Sequence, residues 1–175
     1  MTAPMDGIAF FDDVFDPEFC RWLLADSRTA LAKTRQFDRS NYQWAPLVVH
    51  SSQPVLVREY PSRIEQFILA RLKERGIIDT LGFNVMNYAW SRLSYIPWHN
   101  DGHRGTAVTV YLNDSWDRDW GGLFLYEGSS RDDIRAVVPH FNCGLRNSRH
   151  LQHATTLVAL DAPEPRFTLQ LFSVN

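Results

Sequence analysis

The stretch Val108-Thr109-Val110-Tyr111-Leu112-Asn113 (VTVYLN) alternates without a break. Val108, Val110 and Leu112 fall on one side, and Thr109, Tyr111 and Asn113 on the other. A β-strand turns successive side chains to opposite faces, so the stretch reads as a strand with one apolar face and one polar-aromatic face. Similar short runs recur on either side of it. They are Phe83–Trp90, Arg92–Trp98, Thr106–Leu112 around the stretch itself, Gly122–Tyr126, Ile134–Val138, Thr155–Leu160 and Phe167–Val174. Short strands separated by turn residues predict a sandwich or barrel.

The N-terminal part reads differently. Ile8–Phe15 (IAFFDDVF) is a short strand. Asp16-Pro17-Glu18 then supplies an N-cap, a proline at the first helical position and an acidic first turn. The helix that follows, Pro17–Ala32, carries Phe19, Trp22, Leu23 and Leu31 at near-helical spacing. A second helix starts at Pro61-Ser62-Arg63-Ile64-Glu65, shows Ile64, Phe67, Ile68 and Leu72 as an apolar stripe, and ends at Gly76. Between the helices, residues 33–53 hold no sustained period but include Phe37, Tyr42 and Trp44. Two readings stay open there: a surface connection with a strand at Leu47–His50, or a lid over a site. The expectation is a mainly β protein with N-terminal helices, one domain over 1–175, with helical support in 1–80 and a β core in 81–175.

Composition narrows the function classes. The chain has 175 residues, 45% hydrophobic and 22% charged, which fits one ordered globular domain. Its 13% aromatic content suits a β-rich core or an aromatic-lined cavity. A net charge of −2 and the lack of any basic run argue against a nucleic-acid partner. No apolar stretch is long enough to span a membrane or act as a leader, so the expected location is cytoplasmic. Two cysteines, Cys20 and Cys143, read as reduced thiols rather than a disulfide framework.

The six histidines are the count that leads to chemistry. In Pro97-Trp98-His99-Asn100-Asp101, His99 and Asp101 are two apart, so on a strand they share a face and can approach one ion together. Alone, the tripeptide also fits a turn with a solvated Asp. Downstream, His153 opens the apolar run Ala154-Thr155-Thr156-Leu157-Val158. Arg166 and Thr168 then share a face of a strand whose other residues, Phe167, Leu169 and Leu171, are apolar. A guanidinium in a core strand needs an anion. Its planar fork suits a carboxylate, and Thr168 adds a donor. Two imidazoles and one carboxylate on one face of an octahedral ion form the facial triad of non-heme Fe(II) oxygenases. A bidentate 2-oxo acid and O₂ can take the open positions, with the arginine on the distal carboxylate.

These residues resemble the Fe(II)/2-oxoglutarate-dependent dioxygenases of the prolyl 4-hydroxylase-like superfamily over about Tyr88–Phe172. His99-x-Asp101 matches the family's H-x-D. Thr109-Val110-Tyr111-Leu112-Asn113, Trp116 and Trp120-Gly121-Gly122-Leu123 resemble its Y-L-N…W…G-G-x-L stretch. His153-Ala154-Thr155 resembles its distal histidine segment, and Arg166-x-Thr168 its R-x-S/T clamp. The resemblance implies a double-stranded β-helix (jelly-roll, cupin-like) core. It further implies an iron held by His99, Asp101 and His153, and 2-oxoglutarate held by Arg166 and Thr168 with Tyr111 or Tyr88. Ascorbate enters as an assisting reductant. The implied activity is hydroxylation of an aliphatic C–H coupled to decarboxylation of 2-oxoglutarate to succinate and CO₂. Tyr88-Ala89-Trp90-Ser91 lacks the glycine the family usually carries between its upstream tyrosine and H-x-D.

Other residues receive weighed readings. His150 rivals His153 as distal ligand, and His153 is preferred for its apolar surroundings. His103 and His140 read as loop and turn residues, and His50 as surface or core packing. Tyr95, Arg104 and Trp44 are the candidate substrate-binding residues. Trp98, Trp116 and Trp120 read as structural packing, and Cys143 as a small packing residue. The expected substrate is a small amino-acid-like molecule or a peptidyl side chain. The alternatives are a prolyl or other protein-residue hydroxylase and a catalytically silent metal-binding sensor of the same fold. Asp101 argues against a radical halogenase, which needs that ligand position open. Arg166 and Thr168 have no role in a zinc hydrolase. Oligomeric state has no signal in the sequence.

Overall fold

The structure, a computed structural model, describes residues 7–33, 37–39, 55–102 and 105–174. Its elements are β1 (Ile8–Phe11), α1 (Pro17–Ala32), β2 (Asp38–Arg39), β3 (Val55–Glu59), α2 (Ser62–Glu74), β4 (Phe83–Trp90), β5 (Ile96–His99), β6 (Ala107–Tyr111), β7 (Phe124–Glu127), β8 (Ile134–Val137), β9 (Gly144–Asn147), β10 (His153–Thr155) and β11 (Arg166–Ser173), with a 3₁₀ turn at Arg118–Trp120. The strands form two antiparallel sheets. The larger runs β1-β9-β6-β11-β4-β3-β2 and the smaller β5-β10-β7-β8. From β4 onward the chain passes back and forth between the sheets, and β7–β8 and β6–β9 are paired within them. This is the jelly roll. The segment before residue 80 adds β1, β2 and β3 to the larger sheet as well as the two helices.

Strand β11 shows how the layers are made. Phe167, Leu169 and Leu171 face one way and join Val108 and Val110 of β6 and Leu23, Leu24, Ile68 and Leu72 of the helices in one buried cluster. Arg166, Thr168 and Gln170 point the other way, into the space between the sheets. The larger sheet is thus covered by helices on its apolar face and by the smaller sheet on its polar-aromatic face. The VTVYLN alternation predicts this division.

Asp16 Oδ1 accepts hydrogen bonds from the Glu18 and Phe19 amides at 2.9 and 3.4 Å, so α1 starts where its cap predicts. Of the predicted stripe, Leu23 is buried in the core and Phe19 and Leu31 pack against it, while Trp22 departs. Cys20, Leu23, Leu24, Ser27 and Ala30 are buried, while Trp22 is 46% exposed. Small residues let the helix lie close to the sheet. Phe19 meets buried Phe15 edge-on at 5.5 Å and also contacts Phe67 of α2 edge-on, with Trp22 stacked on its outer side. Helix α2 likewise buries Ile68, Leu69 and Leu72 and leaves Phe67 exposed.

Three strand expectations are corrected. Arg92–Trp98 starts as a turn, with Leu93 at φ +68 and the Ser94 amide donating to the Ser91 carbonyl, and only Ile96–His99 is strand. Thr155–Leu160 is a strand only through Thr155, after which the chain leaves the sheet with a bridge from Val158 to Gly121. The Ile8–Phe15 strand ends at Phe11. Strands β2, β3 and β9 lie outside the predicted set. In β9, Gly-Leu-Arg-Asn gives alternation too little apolar contrast to register. No described helix is long and apolar enough to cross a membrane.

Candidate metal centre and carboxylate clamp

His99 ends β5 and His153 opens β10, and these two residues are direct partners across the strand pair. Their rings lie 4.3 Å apart, centroid to centroid. Asp101, two residues past His99, is buried and places Oδ2 3.7 Å from His153 Nε2. One ligand atom from each of the three lies within 4.8 Å of the others. A cation about 2 Å from each donor needs donors about 3–4 Å apart, so the set fits one ion.

Both histidines are already oriented for ligation. His99 Nδ1 donates to the Pro97 carbonyl at 2.8 Å, and His153 Nδ1 to the Leu151 carbonyl at 2.9 Å. Each bond commits the Nδ1 proton to backbone and leaves Nε2 as a free lone pair. Burial, with His99 beside it, lowers the His153 pKa and so keeps the ring neutral, the form that binds a metal. Phe124 stacks on His153 at 5.2 Å, and Asn147 Nδ2 donates to Asp101 Oδ2 at 3.4 Å. His150 is exposed and accepts from Arg149 Nε at 3.0 Å. It stands outside the cluster.

The clamp lies along the same cleft, of about 470 Å³ including its mouth, which Tyr88, Trp90, Tyr111, Arg166 and the three metal-site residues line. Thr168 is opposite both Tyr88 on β4 and Tyr111 on β6, so the three form one row, but Thr168 is fully buried and does not itself line the cleft. Arg166, two residues earlier, is opposite Trp90. Its guanidinium carbon sits 4.3 Å from the Trp90 ring centroid. Arg166 is 2% exposed, and no carboxylate pairs with it among the described residues. Nη1 donates to the Gly122 carbonyl, while buried Nε has no partner. The Tyr111 hydroxyl is also buried without a partner. Burial lowers the Arg166 pKa to about 10 and raises that of Tyr111 to about 12. At neutral pH one is a full cation and the other a protonated donor. A buried cation with idle donors around it is costly unless an anion completes the set. A carboxylate would do so.

Gly121 and Gly122 make room for this arrangement. Both have positive φ, +65 and +62. A Cβ on Gly121 would lie 2.0 Å from the Leu157 carbonyl oxygen, and one on Gly122 would meet Arg166 Cδ at 3.1 Å. The pair lets the 157–158 segment and the arginine stem close over the loop.

Of the candidate substrate residues, Tyr95 is half-buried and does not line the cleft. Arg104 and Trp44 lie outside the described residues, as do His103, His50, Leu47–His50 and most of the 33–53 segment. Trp98 is 42% exposed beside His99 and so is not the core packing expected of it. Trp116 and Trp120 meet edge-on and pack as expected, with Trp116 Nε1 donating to the Gly121 carbonyl. Asn113 closes the turn into β11, accepting from the Phe167 amide at 2.7 Å. Sequence reasoning passed over Trp90, Gln170 and Asn147, although Trp90 shares the strand face of Tyr88.

No family model matches the sequence, and no curated protein matches it. Solved structures do match. A Pseudomonas putida prolyl-4-hydroxylase superposes with a TM-score of 0.74 at 15% identity, covering 97% of this chain and 93% of that one. A Trichoplax adhaerens prolyl hydroxylase, in complex with a hypoxia inducible factor peptide, gives 0.69 at 15% identity over 96% and 83%. The fold is that of the 2-oxoglutarate/Fe(II) oxygenases. A non-heme alpha ketoglutarate dependent epimerase of nogalamycin biosynthesis shares it too, with a TM-score of 0.69 at 14% identity over 98% and 78%. One oxygenase fold therefore carries more than one outcome, and the chemistry of this chain must be argued from its own site.

Proposed function

We propose that this chain is an Fe(II)/2-oxoglutarate-dependent oxygenase that hydroxylates an aliphatic C–H of a small amino-acid-like molecule. The observation that carries the reading is the pair of unspent donors, Arg166 Nε and Tyr111 Oη, on the cleft that also holds the His99–Asp101–His153 cluster. A metal site alone fits many chemistries. A metal site facing a buried, unpaired guanidinium fits a ligand that chelates at one end and carries a carboxylate at the other, as a 2-oxo diacid does.

When bound, the iron and 2-oxoglutarate supply the oxidant: O₂ and 2-oxoglutarate give succinate and CO₂, and the second oxygen atom enters the substrate C–H as hydroxyl. The protein's part is placement. His99, Asp101 and His153 would hold the iron through three side-chain donors. Arg166, Tyr111 and Thr168 would hold the far carboxylate, with Tyr88 beside them in the row. The aromatic walls, Trp90 and Phe124 among them, keep water from the reacting groups.

A peptidyl side chain is the second reading. It is supported by the prolyl hydroxylases among the structural neighbours, one of them bound to a peptide. Incubation with Fe(II), 2-oxoglutarate and O₂ against a panel of free amino acids and peptides, with succinate read by mass, separates the two. Substrate-dependent succinate from the wild type and none from His99→Ala or His153→Ala is expected. Equal turnover in both variants would overturn the assignment.

A further inference from the structure

We propose that Trp90 is the positioning residue of the carboxylate clamp, aiming both Arg166 and Thr168 through the two faces of its chemistry. The inference rests on the reading of the site just given. The indole ring lies under the guanidinium, with the Arg166 Cζ 4.3 Å from its centroid, a cation–π contact that holds the arginine against it. Its Nε1 donates to Thr168 Oγ1 at 3.0 Å. Trp90 is opposite Arg166 in register and so reaches both residues of Arg166-x-Thr168 at once.

The Thr168 hydroxyl is the informative group. It has one proton to donate and two lone pairs. Trp90 Nε1 takes one lone pair. Gln170 Nε2 takes the other at 3.4 Å, and the Gln170 amide is held in that orientation because Thr109 Oγ1 donates to its Oε1 at 2.9 Å. With both lone pairs engaged, the hydroxyl is left as a donor, and its proton has no acceptor among the described residues. Trp90 and Gln170 therefore convert a two-way hydroxyl into a one-way donor beside the idle donors of Arg166 and Tyr111. A set of donors with no acceptor among them would favour an anionic ligand end. Trp90 touches neither the reacting atoms nor, through its N–H, the ligand.

A positioning role of this kind affects only ligands that carry the distal carboxylate. Anaerobic calorimetric titration of Fe(II)-loaded protein with 2-oxoglutarate and with 2-oxobutanoate, which lacks that carboxylate, isolates it. Trp90→Phe keeps a ring under Arg166 and loses the N–H. It is expected to weaken 2-oxoglutarate about tenfold and leave 2-oxobutanoate unchanged. Trp90→Leu also loses the cation–π contact, and the same selective loss should grow to about 100-fold. If Trp90→Leu does not fold, Trp90→Phe decides the matter alone. Parallel weakening of both acids, or no change in either, would overturn the inference while leaving the site's reading intact. A wild-type protein that does not prefer 2-oxoglutarate over 2-oxobutanoate would overturn both.

Discussion

On the proposed function, Arg166 is the residue on which ligand binding turns. It is among the largest fully buried side chains, and its charge meets no described carboxylate, only the Trp90 and Tyr111 rings and one backbone carbonyl. A lysine there would keep the charge but lose the planar fork. Arg166→Lys is therefore expected to cost about 1.5–3 kcal/mol in 2-oxoglutarate binding, roughly 10–100-fold, with metal affinity unchanged. Calorimetry on the metal-loaded variant checks it, and wild-type affinity would remove the arginine from the clamp. Much of this was legible in the sequence. His99, Asp101, His153 and Arg166 were each readable from spacing and from one charge in an apolar strand. Trp90 and Gln170 were not, because an aromatic or an amide on a strand has many uses and only cross-strand register shows which one applies.

At the scale of elements, the Gly121–Gly122 corner joins the start of the smaller sheet to the clamp. Gly122→Ala places a Cβ 3.1 Å from Arg166 Cδ at a φ of +62. The expected cost is about 1–3 kcal/mol in folding stability. It should come with weaker 2-oxoglutarate binding, because the arginine stem is what must move. Denaturant unfolding alongside ligand titration checks both, and lost stability with full affinity would show that the stem has room elsewhere. The helices and the long strands β4, β6 and β11 were legible because each alternates or repeats strongly over many residues. The four-residue β9 and the three-residue β10 are held by neighbours more than by their own pattern. The α1 stripe was legible in Phe19, Leu23 and Leu31; the small buried residues Cys20, Ser27 and Ala30 were not, because they carry little hydrophobic contrast, and Trp22 packs outward on Phe19.

Over the whole molecule, burial sets an alkaline limit. It raises the pKa of Cys20 from 9.0 to about 12, and those of Tyr60 and Tyr111 from 10.0 to about 12. Each group keeps its proton longer when folded than when unfolded, so the unfolded state binds fewer protons once pH passes the unfolded values. Stability is then expected to be flat with respect to these groups below about pH 9 and to fall as pH rises toward 12. Denaturant midpoints measured across that range check it, and a midpoint that rises would contradict the burial of all three. The same protonated Tyr111 should remain a donor at pH 10, where a free tyrosine has half lost its proton.

The jelly roll brings the metal cluster and the clamp to one cleft, and the central claim is that a single ligand bridges them. Anaerobic titration of 2-oxoglutarate into the protein with and without Fe(II) tests that bridge, with His153→Ala and Arg166→Ala as variants and His150→Ala as the control. One-to-one binding that needs the metal, fails in His153→Ala, weakens steeply in Arg166→Ala and survives in His150→Ala is the predicted result. Binding indifferent to the metal, or as tight in Arg166→Ala as in the wild type, would contradict it.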